Sequence, residues 1–251
     1  MHITLYFNAA NGDFIRVPRA NLHLFQALIY SVLPPDHASF LHDKGYGAYG
    51  RHLKLFAMSW PISETPPEFE ERAIRFPSPV KIVISTPIPE TAEGITVSIL
   101  KSGRLRIGNN PVICSKFEAE QQTVTGNSII VKTLSPITCY AKTERGGKPY
   151  TLYYNPDQQE FENLIYNNLI LKFQALNPEK PLPHGRVAVT PIGNLYERLS
   201  RFKEKASFPV VGWSGKFLLE GPKELLQIAL DSGIGSKNSG GWGCLTKEKV
   251  L

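Results

Sequence analysis

Apolar residues recur along this chain at two spacings, one typical of strands and one typical of helices. Apolar and polar side chains alternate over His2–Phe7, which predicts a first strand. Apolar residues then recur every three or four positions over Asn21–Leu33, which predicts a helix that ends at Pro34-Pro35. The same helical spacing marks Asp157–Leu176 and, over fewer residues, Pro222–Leu230.

Short β-prone runs fill the intervals between these helices. The predicted strands are Lys54–Trp60, Val80–Thr86, Asn127–Leu134, Phe208–Leu219 and Cys244–Lys249. Arg104–Phe117 has an extended and irregular pattern, and Tyr140–Tyr154 resembles a hairpin with its tip at Glu144–Lys148. Strands and helices therefore occur twice in one order, with a seam near residues 120–127. This order predicts an α+β protein with two tandem βαββαβ units, over residues 1–124 and 125–251.

Composition narrows the class of protein without naming a function. A hydrophobic content of 42% is that of a globular chain, and 28 basic against 22 acidic residues leave a formal charge of +6, which favours polyanionic partners only weakly. The three cysteines form no CxxC pair, so a zinc site and a disulfide framework are not expected. The N-terminus lacks a signal-peptide pattern and no apolar run approaches the roughly 20 residues that span a bilayer. We therefore expect a cytoplasmic protein with reduced thiols and no membrane partner.

The segment Gly233–Gly243, GIGSKNSGGWG, is the most informative part of the sequence. Its glycines permit positive φ angles and let the backbone approach a ligand closely. Exposed amides in such a loop can bind phosphate, and Lys237 adds a positive charge, so either a phosphate-binding loop or a flexible surface turn is open. It is neither a P-loop nor a dinucleotide fingerprint. The candidate ligand-binding residues of this loop are Gly233, Gly235, Ser236, Lys237, Asn238, Gly240 and Gly241.

This loop, placed between a short helix and the last predicted strand, resembles the signature of the RAMP superfamily. Within it, the chain resembles the CRISPR-associated pre-crRNA-processing endoribonucleases, the sixth numbered Cas family. The resemblance extends over Val210–Leu245 and includes LSPI at Leu134–Ile137, LHDKG at Leu41–Gly45 and KLFAMS at Lys54–Ser59. It implies two ferredoxin-like domains with an RNA groove between them.

The resemblance also implies a reaction. Enzymes of this family cut when the 2′-hydroxyl of the RNA attacks the adjacent phosphate, which leaves a 2′,3′-cyclic phosphate and a 5′-hydroxyl. The protein then has to move protons and stabilise charge, and it requires no metal ion or other cofactor. His42, Tyr30 and Lys54 match the positions of the family's catalytic residues. His42 is expected to act as acid or base, Tyr30 to orient the 2′-hydroxyl or assist proton transfer, and Lys54 to stabilise the transition state; His37 and His52 are rivals to His42.

Basic clusters suggest where RNA would be held. Trp213 and Trp242 are further candidates, because an indole can stack on a base. The implied partner is CRISPR repeat RNA and crRNA, while an effector complex and a homodimer remain open. A non-cutting crRNA scaffold and a phosphate-metabolite enzyme are the alternatives. The basic candidates are Arg51, His52, Lys142, Arg145, Lys148, Arg198, Arg201, Lys203 and Lys205.

Overall fold

Helices form at the predicted apolar repeats and at two further places. The computed structural model describes residues 1–48, 50–101, 103–203 and 208–248. Within these ranges no helix has the length and apolar character that crossing a bilayer requires. The helices are α1 Leu22–Ser31, α2 Pro35–Asp43, α3 Pro89–Lys101, α4 Gln159–Leu176 and α5 Lys223–Ser232, followed by a one-turn 3₁₀ helix at Asn238–Gly240.

The strands belong to two larger sheets and three short ribbons. Strands of the first part of the chain are β1 His2–Ala9, β2 Phe14–Pro18, β3 Tyr46–Ala48, β4 Arg51–Leu53, β5 Ala57–Met58, β6 Ile62–Ser63, β7 Glu68–Phe69, β8 Ala73–Pro77, β9 Val80–Ser85, β10 Leu105–Ile107 and β11 Asn110–Glu120. Those of the second part are β12 Ser128–Thr133, β13 Tyr140–Arg145, β14 Lys148–Tyr153, β15 Ala188–Ser200, β16 Val210–Glu220 and β17 Leu245–Lys247.

Both larger sheets have the strand order of a ferredoxin-like βαββαβ fold. In the first sheet the order is β10-β11-β1-β9-β5, with β6 also paired to β9. In the second sheet it is β15-β16-β12-β17. The first strand of each unit therefore lies between its third and its last, and each of these pairings is antiparallel. The α+β fold with two ferredoxin-like domains is thus confirmed.

Each sheet has a hydrophobic core of its own. Phe25, Leu28 and Ile29 of α1 pack with Ile95 of α3 in the first core, whose buried residues lie between positions 3 and 112. The second core lies between positions 124 and 245 and is built on the predicted apolar face of α4. Val124 already belongs to this second core, and we propose that the domain boundary falls in the segment just before it.

The glycine-rich loop joins the two units. The indole N–H of Trp60 donates to the Gly241 carbonyl at 2.7 Å, and the Trp60 and Trp242 rings meet edge to face with centroids 5.7 Å apart. On α1, the side-chain amide of Gln26 donates to the Ser239 carbonyl at 2.9 Å. The loop is therefore a docking element as well as the link between α5 and β17.

Several element predictions need correction. Pro34-Pro35 ends the first helix as predicted, but Pro35 also starts a second one, since proline fits the first turn of a helix. His42 consequently lies in the last turn of α2. The predicted strand Lys54–Trp60 shortens to β5, because Leu55 has a φ of 50° that interrupts extended backbone. The sequence patterns did not reveal α3, β2, β8 or the long strand β15.

Candidate functional site

The three predicted catalytic side chains come from three segments and meet at one place. Tyr30 lies in the last turn of α1, His42 in the last turn of α2, and Lys54 directly after β4. The Lys54 ammonium donates to the Tyr30 hydroxyl at 2.9 Å. The Tyr30 ring meets the His42 ring edge to face, with centroids 6.4 Å apart. The break at Pro34-Pro35 turns the chain between α1 and α2, and thereby brings Tyr30 and His42 together.

Asp43 is a neighbour of His42 that the sequence did not single out. His42 Nδ1 and the Asp43 carboxylate are 2.7 Å apart, so Nδ1–H donates to Asp43 when it carries the proton. That tautomer leaves Nε2 free to take up or release a proton at a substrate. Both side chains are largely exposed, at 76% for His42 and 69% for Asp43. The LHDKG segment places the two residues side by side, but only the rotamers show that they pair.

A cleft of about 330 Å³ opens beside Lys54, between the two domains. One wall is β4 with the residues after it, and the opposite wall is the glycine-rich loop. A volume of this size suits a small ligand or one segment of a larger one. Its lining residues are Arg51, His52, Leu53, Lys54, Leu55, Phe56, Tyr140, Asn168, Lys172, Ser232, Gly235, Ser236, Lys237, Asn238 and Ser239.

Charge and backbone geometry distinguish this cleft. Basic residues line it, no carboxylate does so among the described residues, and the Lys237 ammonium lies 5.3 Å from the centre of the Tyr140 ring. Within the described ranges, the non-glycine residues with positive φ are Leu55 at 50° and Lys237 at 62°, one on each wall. Such conformations cost about 1–3 kcal/mol each and often occur at functional sites. A larger cleft of about 1070 Å³, between α4 and the start of α5, contains none of the predicted site residues.

The expectation that the glycine-rich loop presents bare amides is wrong for most of its length. Gly233, Gly235, Gly240 and Gly241 are buried. The amides of residues 234, 236, 240, 241 and 243 donate to carbonyls of the protein itself. The alternative of a flexible surface turn is also wrong, because the loop is packed between the domains. Of the loop, only its tip at residues 235–239 lines the cleft.

The other predicted residues fall into separate places. His37 is half-buried and its Nε2 lies 2.7 Å from the Thr91 hydroxyl, whereas His52 is exposed on β4 beside the cleft. Trp242 is only 1% exposed, so the prediction that it stacks on a base is wrong. Lys205 lies outside the described residues. Lys142, Arg145 and Lys148 are exposed on the β13–β14 hairpin, and Arg198, Arg201 and Lys203 are exposed on and after the end of β15.

Comparison with solved structures gives the class of fold. A structure described as that of a Cas6-related gene product from Pyrococcus furiosus superposes with a TM-score of 0.84 at 20% identity, over 100% of this chain and 99% of the other. A RAMP protein described as binding different RNA substrates superposes with a TM-score of 0.80 at 18% identity, over 99% of this chain and 100% of that one. The chain therefore shares its fold with both of these proteins.

The family follows from the sequence comparison. The family "CRISPR associated protein Cas6, C-terminal" matches residues 118–247, just over half of the chain, so the chain belongs to the Cas6 family. The CRISPR-associated endoribonuclease Cas6 of Pyrococcus furiosus is 27% identical over 93% of this chain and 84% of its own length. The CRISPR-associated endoribonuclease Cas6 1 of Methanocaldococcus jannaschii is 26% identical over 85% of this chain and 87% of its own length.

Proposed function

We propose that this protein is a metal-independent endoribonuclease that cuts CRISPR repeat RNA and so supplies crRNA for antiviral defence. The observation that carries the proposal is the meeting of Tyr30, His42 and Lys54 beside a basic cleft that Lys54 lines. Family membership and two curated relatives named as endoribonucleases support the same activity.

The proposed reaction is attack of a ribose 2′-oxygen on the adjacent phosphorus. The P–O bond to the 5′-oxygen breaks, the 2′-hydroxyl loses a proton and the leaving 5′-oxygen gains one. The products are a 2′,3′-cyclic phosphate and a 5′-hydroxyl. His42 transfers one of these protons through Nε2, and Lys54 stabilises the extra negative charge on the phosphorane. Tyr30, held by Lys54 at 2.9 Å, orients the 2′-hydroxyl.

The proposed RNA path leads from this trio along the cleft. Arg51, His52 and Lys237 line the cleft and offer positive charge to the phosphates. The amides of residues 237–239 form no hydrogen bond within the described part of the chain. They are therefore available to donate to a phosphate at the loop tip. The exposed basic residues of the β13–β14 hairpin would hold RNA beyond the cleft.

The decisive experiment is cleavage of a host repeat RNA in EDTA, with analysis of the product ends. We expect a 2′,3′-cyclic phosphate and a 5′-hydroxyl, and no cutting when the nucleotide 5′ to the scissile phosphate is 2′-deoxy. Dependence on Mg²⁺ or a 5′-phosphate product would overturn the mechanism. Tight binding of the RNA without any cutting would favour the alternative of a non-cutting crRNA scaffold.

A second substrate separates the two roles open to His42. In an RNA with sulfur at the bridging 5′ position, the leaving group departs without being protonated. If His42 is the acid, His42→Ala should cut this RNA nearly as fast as the unaltered protein does. If His42 is the base, the substitution should slow both RNAs to the same degree.

A further inference from the structure

Lys172 is a charged side chain in an unusual place. It lies on α4, only 3% of it is exposed, and it lines the floor of the same cleft as Lys54. Its ammonium donates to the Ser232 carbonyl at 2.9 Å, the Gly233 carbonyl at 2.8 Å and Asn238 Oδ1 at 2.7 Å. All three donor hydrogens therefore have partners, and none of these acceptors is a carboxylate.

A stable fold by itself does not require a lysine here. Burial disfavours the charged form and lowers the pKa of Lys172 to about 7. Replacing buried charges by apolar side chains of similar volume is often neutral or stabilising. The carbonyls at the end of α5 do favour a cation, because the C-terminus of a helix carries partial negative charge. The bonds of Lys172 are concentrated on one turn, which indicates that it sets the position of that turn.

The turn held by Lys172 is the one that forms the wall of the cleft. Asn238, whose Oδ1 accepts from Lys172, also donates through Nδ2 to the Ile234 carbonyl at 2.9 Å and the Trp242 carbonyl at 3.0 Å. Lys172 thus connects the end of α5 to both sides of the glycine-rich loop. Between these points lie Ser236 and Lys237, whose side chains face the cleft.

We propose that Lys172 is a positioning residue for RNA cleavage: it fixes the turn from Ser232 to Asn238 so that Lys237 stands opposite Lys54 across the cleft. This inference rests on the proposed function. Lys172 itself is too buried to reach the RNA and acts through the loop. Without it, Lys237 would still be present but would no longer be held where the phosphate passes.

The test compares Lys172→Met, Lys237→Ala and the double variant with the unaltered protein. Single-turnover kcat/KM on repeat RNA should fall about 10- to 100-fold in Lys172→Met, as expected for a misplaced binding group. If Lys172 acts through the loop, adding Lys237→Ala to Lys172→Met should change kcat/KM little, whereas independent effects would multiply. Hydrogen exchange of residues 232–243 should speed up in Lys172→Met even without RNA.

Controls separate positioning from loss of stability. Phe173→Leu alters the next residue of α4, which is part of the second core, and should lower the melting temperature without lowering kcat/KM. Asn238→Ala removes one acceptor of Lys172 and replaces Lys172→Met in the test if that variant does not fold. It should likewise reduce kcat/KM and speed up hydrogen exchange in the loop.

Each outcome decides the matter. Multiplicative effects of Lys172→Met and Lys237→Ala, or an equal loss of kcat/KM in Phe173→Leu, would overturn the positioning role. If the unaltered protein does not cut repeat RNA, the proposed function fails. In that case, hydrogen exchange still shows whether Lys172 holds the loop, and unchanged exchange in Lys172→Met would refute that as well.

Discussion

At the scale of single residues, the proposed chemistry requires side chains that face one point from different segments. Lys54 and Tyr30 share a hydrogen bond of 2.9 Å, and Asp43 fixes one nitrogen of His42. The sequence shows a histidine, a tyrosine and a lysine within 25 positions, but it gives no reason to pair Asp43 with His42. That pairing depends on rotamers at the end of α2.

Replacement of His42 by alanine should slow cleavage while leaving RNA binding intact. We expect a loss of about 10²- to 10⁴-fold in the single-turnover rate, the usual contribution of a positioned acid or base. Because His42 is 76% exposed, its removal should not lower the melting temperature measurably. The matched control is His37→Ala, since the His37 ring lies against the Thr91 hydroxyl and the Phe40 ring. Equal losses in both variants would speak against His42 as the proton-transfer group.

Lys172 should make stability depend on pH in a predictable direction. The pKa of its ammonium is about 7 in the folded protein and about 10.4 in an unfolded chain. Between these values the unfolded state binds more protons, so the free energy of unfolding should rise with pH from about 7 to about 10 relative to Lys172→Met. Below pH 7 both states are protonated, and the difference between the two proteins should be constant. Urea unfolding at a series of pH values measures this; a flat difference would contradict the assignment.

At the scale of secondary-structure elements, the composition of the glycine-rich loop suggests ligand binding, but most of the loop packs between the two domains. Its glycines allow close contact with the first domain and with each other. A Cβ on Gly243 would collide with the Ile234 carbonyl, and one on Gly233 would lie 2.8 Å from Ala57 Cβ. The proposed phosphate contact is therefore limited to the tip of the loop, because the rest of the loop packs against the first domain.

Gly241→Ala should loosen the docking of the two domains. Gly241 has a φ of 88°, and an added Cβ would meet Met58 Cε at 3.2 Å and Leu22 Cδ2 at 3.3 Å. A non-glycine residue in the left-handed conformation costs about 1–3 kcal/mol, so we expect a lower melting temperature. We also expect a change in the fluorescence of Trp242, the residue that follows Gly241. Gly126→Ala is the control, because its Cβ would meet nothing within 4 Å. If both substitutions have the same effect, the loop is not the docking element.

At the scale of the whole molecule, some basic side chains form ion pairs with carboxylates and others do not. Arg75, Lys116 and Lys216 each bond to a carboxylate at 2.6–2.7 Å. No such pairing is formed, within the described residues, by Lys142, Arg145 or Lys148 on the β13–β14 hairpin. Open basic residues are the ones that phosphates can use, so the hairpin is the better candidate for RNA contact.

Replacing Lys142, Arg145 and Lys148 by glutamine should weaken RNA binding and reduce its dependence on salt. Each lost phosphate contact removes about 0.7 from the slope of log K against log salt for single-stranded RNA, so the slope should become less steep by about 2. The control changes Arg75, Lys116 and Lys216 to glutamine, which removes the same total charge from paired positions. A similar change of slope in both variants would show that net charge, and not the hairpin, determines affinity.

Local patterns in the sequence determined the elements whose signals are local. The apolar face of α4, the break at Pro34-Pro35 and the hairpin tip at Glu144–Lys148 are set by neighbouring residues, and the structure has each of them. The family resemblance also pointed to His42 in LHDKG, to Lys54 in KLFAMS and to Tyr30 on the first helix, and these residues lie together in the structure. The sequence did not reveal α3 or β15, because these elements owe much of their stability to packing against distant strands.

Only the tertiary structure decided what each site residue faces. The burial of Trp242 depends on how neighbouring side chains pack against it. The internal hydrogen bonds of the glycine-rich loop depend on how that loop folds. The bonds of Lys172 to Ser232, Gly233 and Asn238 join residues that are far apart in the chain. A glycine-rich segment has one composition whether its amides bind a ligand or its own protein. What distinguishes the two cases is whether another domain occupies the space beside it, and that depends on how the two cores dock.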